Sequence, residues 1–150
     1  MRLLGLDVGD KRIGVAVSDP DLWLAQSLTV IQRVSSKRDF QAIADLVREY
    51  EVEKVIIGLP RTMAGEIGEQ ARKVQEFGRE LEERSGMPVE FWDERLTTTG
   101  AQKLMIAAGV KRARRKQIID AVAAALILQG YLDFLKTQAR QKSQTPIYED

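Results

Sequence analysis

The chain contains no cysteine and no histidine. Without cysteine there are no disulfides and no thiolate zinc site, and the composition fits a reducing compartment, so a cytoplasmic location is expected. Without histidine, Ser-His-Asp and Cys-His catalysis are excluded, together with imidazole metal ligands. No run of about 18 apolar residues occurs, so no transmembrane helix and no membrane partner are expected. The segment from Met1 to Val8 reads as a strand and not as a basic, cleavable signal. Net charge is also nearly absent, at +1, so bulk charge does not announce a nucleic-acid binder.

What is present suits one domain. The 150 residues are 44% hydrophobic, enough for a real core. Carboxylates are the best remaining metal ligands, and they suit hard cations such as Mg²⁺ or Mn²⁺. The charge is unevenly spread. Lys111, Arg112, Arg114, Arg115 and Lys116 form a dense basic cluster, while acids collect from Glu76 to Glu83. Such separation can present one positive face.

Hydrophobic periodicity gives the order of elements. Arg2 to Val8 and Arg12 to Ser18 are apolar runs around a Gly-Asp-Lys turn, a hairpin signature. A third strand is expected near Leu28 to Gln32. Phe40, Ile43, Ala44 and Val47 share a helical face within Asp39 to Glu49. Further strands are expected at Lys54 to Ile57 and Val89 to Trp92. Helices are expected at Glu69 to Ser85, Thr97 to Ala108 and Ile118 to Leu135, with a basic loop at Lys111 to Lys116. Neighbouring early strands followed by alternation predict an α/β fold with a mixed sheet, partly antiparallel and flanked by helices. Residues 1–137 form the single expected domain, and 138–150 a flexible polar tail.

Asp7 is an acid in an otherwise apolar strand. A charge there is costly unless paired, hydrated or metal-bound; the plain alternative is a strand-end turn residue. Asp93 and Glu94 leave the Val89 to Trp92 strand at its carboxyl end, where functional groups of α/β sheets collect. Adjacent residues point in different directions, so one of the two enters a site. Asp120 opens the most hydrophobic helix, where a helix N-terminus would stabilise an acid; it could equally face the sheet, since Ala121, Ala123, Ala124 and Ala125 permit close approach. Three acids on separate elements could converge on a cation-binding cleft for phosphodiester hydrolysis. The Lys111 to Lys116 cluster near Asp120, Lys11 and Arg12 near Asp7, and Arg61 after Gly58-Leu59-Pro60 are candidate phosphate contacts or ordinary solvated loops.

Four motifs in order carry a resemblance over nearly the whole chain. They are Gly5-Leu6-Asp7-Val8-Gly9-Asp10-Lys11-Arg12-Ile13-Gly14-Val15-Ala16, Val55-Ile56-Ile57-Gly58-Leu59-Pro60, Trp92-Asp93-Glu94-Arg95-Leu96-Thr97-Thr98, and the run from Ile119 to Gln129. The chain thereby resembles the YqgF family, also called RuvX. The resemblance implies an RNase H-like fold similar to the resolvase RuvC, with a five-stranded sheet. It also implies maturation of the 5′ end of 16S rRNA, with Asp7, Glu94 and Asp120 as metal-binding acids and Asp93 as a fourth candidate. Arg12 and Arg95 match basic motif positions that contact phosphate or brace the acids.

Three functions follow as expectations. The first is a metal-dependent endonuclease acting on structured RNA, specifically the 16S rRNA precursor. The second is a resolvase of four-way DNA junctions, which would cut symmetrically as a homodimer whereas the first works equally as a monomer. The third is a non-catalytic RNA-binding factor in ribosome assembly. An ATPase lobe of the actin and sugar-kinase type also carries Asp-x-Gly after a strand, but it needs two lobes and this chain supplies one. Few aromatics look exposed, so backbone shape is the expected basis of recognition.

Overall fold

Alternation along the first strand sets the plan of the molecule. The structure is a computed structural model that describes residues 1–61, 64–94 and 112–144, the side chains of 112–119, 143 and 144 excepted. Strand β1, Arg2–Val8, sends Leu4, Leu6 and Val8 to one face of the sheet and Leu3 to the other. Gly5 and Asp7 share the face of Leu3 by the two-residue period of a strand. β2 (Arg12–Ser18) pairs antiparallel with β1, placing Asp7 opposite Gly14. β3 (Ala25–Gln32) adds to β2 as an antiparallel edge. β4 (Val52–Leu59) and β5 (Val89–Asp93) extend the other side in parallel, giving the order β3-β2-β1-β4-β5. The expected mixed, partly antiparallel sheet is therefore the one that forms.

One layer of helices covers each face. On the first, α1 (Ser36–Glu49) and α2 (Glu69–Ser85) bury Phe40, Ile43, Val74, Phe77 and Leu81 against Leu6, Ile13, Val15, Val55 and Ile57. Ser35 caps α1 by accepting from the amide of Arg38 at 3.3 Å. Gly86 ends α2 in the left-handed conformation, φ 70°, which costs glycine no Cβ clash. On the second face, α3 (Arg112–Gln144) packs Ala124, Ile127, Leu128, Tyr131 and Leu132 on Leu3, Ala16 and Ile56.

Helix α3 departs from expectation at both ends. It begins at Arg112 and not at Ile118, so Arg112, Arg114, Arg115 and Lys116 lie in its opening turns and not in a loop. Arginine and lysine are good helix formers, and no Gly or Pro separates Lys111 from Gln129. Its far end runs to Gln144, beyond the expected Leu135. Strands β3 and β4 are also longer than their apolar centres. The expected Thr97 to Ala108 helix, Arg95 and Lys111 lie outside the described residues.

Candidate active site

Glycines let α3 approach the sheet at the level of Asp7. A Cβ at Gly14 would strike the backbone carbonyl of Asp120. One at Gly5 would lie 2.8 Å from Cβ of Leu128 and 3.0 Å from the carbonyl oxygen of Ala124. Since Gly14 stands opposite Asp7 in the ladder, the close contact brings Asp120 beside Asp7. Asp120 sits about two turns inside α3, so a helix N-terminus does not account for it. The small residues expected to permit close approach do so, with Ala123 and Ala124 fully buried.

β5 delivers the third acid by the same alternation. Phe91 packs with the α1/α2 core and Trp92 with the α3 core. Asp93 therefore follows the side of Phe91, and Glu94, just past the strand end, follows the side of Trp92. A Cβ at Gly58 would stand 3.4 Å from Cγ of Glu94. The same Cβ would strike the Ile127 side chain of α3, so the glycine admits α3 here, with Glu94 in ordinary contact across β4.

The electrostatics record the convergence. Burial, the charge of Glu94, a hydrogen bond with Glu94 and the charge of Asp120 together push the Asp7 carboxyl from 3.8 up to about 8. Glu94 is also raised, chiefly by burial and also by the charge of Asp93, while its hydrogen bond with Asp7 acts in the opposite direction. Two carboxyl groups in hydrogen-bond contact require a proton on one of them, and burial with the neighbouring negative charge favours keeping it. Asp120 is held by Arg12, whose Nε donates to Oδ2 at 2.8 Å with both side chains about a quarter exposed. Among the described residues, no group of three acids stands close enough to hold a metal ion as it is. The donor set is nonetheless oxygen only, two carboxylates already share one proton, and a third lies beside them. That chemistry fits a hard divalent cation better than any other cofactor.

The remaining predicted positions divide. Lys11 is exposed in the β1–β2 turn and Arg61 is exposed beyond β4. Arg12 braces an acid. The backbone of Arg112, Arg114, Arg115 and Lys116 leads along α3 into Asp120. Sequence reasoning missed two residues, Arg33 and Asp39. The Arg33 guanidinium donates to Asp39 Oδ2 at 3.0 Å and to the carbonyl of Gly9 at 2.8 Å. Asp39 reads as an ordinary first-turn acid of α1, and only its 2% exposure sets it apart. It also missed the roles of Gly14 and Gly58, which an isolated glycine within a strand does signal.

A mixed five-stranded sheet in the order β3-β2-β1-β4-β5 with helices on both faces is the RNase H-like fold. Thermus thermophilus RuvC in complex with a Holliday junction superposes with a TM-score of 0.57 at 17% identity, covering 91% of this chain and 96% of its own. A fowlpox virus resolvase bound to junction DNA gives 0.55 at 14% identity, over 90% and 99%. The RuvX family model, described as Holliday junction resolvase, matches residues 1–134, and the chain belongs to that family. A relative from Moorella thermoacetica is 53% identical over 135 residues, 90% of this chain and 96% of its own. One from Desulforamulus reducens is 50% identical over 133 residues, 89% and 97%. Both carry the name "Putative pre-16S rRNA nuclease".

Proposed function

We propose that this chain is a divalent-metal-dependent endonuclease that hydrolyses phosphodiesters in structured RNA, the 16S rRNA precursor. The observation that carries the reading is the meeting of Asp7, Glu94 and Asp120 from three separate elements at the carboxyl end of the central strand. The relatives' name supports the RNA substrate. In this reading Asp7, Glu94 and Asp120 hold Mg²⁺ or Mn²⁺, with Asp93 contributing charge from the neighbouring position. The bound ion supplies Lewis acidity towards a phosphoryl oxygen and eases ionisation of the attacking water. Asp7 must give up its proton to serve as a ligand. Arg12 fixes the direction of Asp120. Lys11, Arg61, Arg95, Lys111 and the cations from Arg112 to Lys116 hold phosphates.

Shape is the basis of recognition. Trp23, 59% exposed, lies between β2 and β3 beyond the Ser18 end of β2. Asp7 pairs near the opposite end, at Gly14. Base stacking on that ring is therefore remote from the reacting phosphate. The working compartment is the cytoplasm, and no described helix is long and apolar enough to cross a membrane.

Cleavage of precursor RNA by purified protein with Mg²⁺ or Mn²⁺, lost on chelation, is the expected result. Cleavage unaffected by chelation and by Asp7→Asn would remove the metal role. The description of the family model favours a second reading, resolution of four-way DNA junctions. Assaying both substrates side by side separates the two, and a strictly monomeric protein counts against symmetric resolution.

A further inference from the structure

We propose that Arg33 and Asp39 are positioning residues for the acid site, acting through the turn between β1 and β2. The proposal rests on the nuclease reading above and adds two residues that touch none of the three acids. Arg33 follows β3 directly, and its backbone amide donates to the carbonyl of Lys11 at 2.9 Å. Its side chain reaches the carbonyl of Gly9 from Nη1 at 2.8 Å. One residue thus grips the turn at two points. Within the turn the Gly9 amide donates to the carbonyl of Arg12 at 2.9 Å, and Arg12 in turn holds Asp120 at 2.8 Å. Asp7 lies two residues before Gly9. A shift of this turn therefore moves Asp7 and the anchor of Asp120 together.

Asp39 makes the grip rigid. The residue is 2% exposed, and its carboxylate accepts from Arg33 Nε at 3.0 Å and from the amide of Val34 at 3.3 Å. The face of Phe77 lies under the guanidinium, 5.2 Å from ring centroid to Cζ. A planar, forked donor is needed to meet a carboxylate and a carbonyl at once. Lysine keeps the charge and satisfies one of the two. A tie placed only for stability would need neither the fork nor the reach to Gly9.

The test compares Arg33→Lys and Asp39→Asn with Arg84→Ala, which removes the guanidinium 5.2 Å over Phe40 in the same aromatic pair and touches no part of the turn. Melting temperature, amide exchange at Gly9 and Arg12, and the separate kcat and KM for RNA cleavage are measured. Arg33→Lys folds, exchanges the Gly9 amide about tenfold faster and loses about tenfold in kcat with KM within about twofold. Asp39→Asn moves both in the same direction, and Arg84→Ala moves neither. Unchanged Gly9 exchange and kcat in Arg33→Lys would overturn the proposal, as would an equal kcat loss in Arg84→Ala. If the wild type cuts no nucleic acid with any divalent cation, the nuclease reading falls, and exchange at Gly9 and Arg12 alone decides the bracing.

Discussion

Asp7 concentrates the electrostatic cost of the site in one side chain. Its folded pKa of about 8 stands above the ordinary 3.8, so the folded state binds a proton that the unfolded state has released. Stability associated with this group is complete below about pH 4 and is lost as the pH rises through about 8. In metal-free buffer the melting temperature of the wild type should therefore fall between pH 5 and pH 8 more than that of Asp7→Asn, which has no proton to lose. Parallel curves for the two proteins in a calorimetric pH series would show that another group governs the slope. On the proposed metal-dependent reading, the same substitution exchanges one ligand oxygen of Asp7 for an amide nitrogen. It should lower kcat/KM by about a thousandfold, the equivalent of several kcal/mol of lost transition-state stabilisation. Protein that melts normally and cuts at a wild-type rate would remove Asp7 from the chemistry.

At the level of elements, the site depends on how closely α3 lies on β1 and β2. Gly14→Ala places a methyl group against the Asp120 carbonyl, and backbone cannot rotate away as a side chain can. Overpacking of this kind costs about 2 kcal/mol, or about 6 °C in melting temperature for a domain of this size. Activity should fall further than folding does, because the displaced residue is Asp120 itself. Gly86→Ala is the contrast. It strains a left-handed backbone, φ 70°, with nothing near the new methyl, so it should lower the melting temperature without changing kcat. Much of this was legible beforehand. Alternation in β1 and β2, the helical spacing of α1 and the stop at Gly86 carry the fold, and Asp7 and Glu94 stand at the carboxyl ends of strands. The start of α3 was not legible, because clustered Arg and Lys read as a solvated loop while their helix propensity extends the helix. Arg33 and Asp39 were hidden for another reason. Their role arises from a contact between the end of β3 and a turn some twenty residues earlier, which no local pattern encodes.

Across the whole molecule, nearly neutral net charge is reconciled with a polyanionic substrate by segregation. The acids of α2 lie on the sheet face opposite α3, while Arg112, Arg114, Arg115 and Lys116 occupy the start of α3, about 6 to 12 Å along the helix from Asp120. Cations at that distance can hold phosphates flanking the cleaved bond without entering the reaction. Replacing all four with glutamine should therefore weaken RNA binding and raise KM while leaving kcat near the wild-type value. Each lost phosphate contact should flatten the dependence of log affinity on log salt by about one. The combined variant should thus shed up to about four from the slope measured by titration at 50 to 200 mM salt. An unchanged slope would assign phosphate binding to Lys11, Arg61 and the residues beyond β5. A fall in kcat at saturating RNA would show that the cluster orients Asp120 and does more than hold substrate.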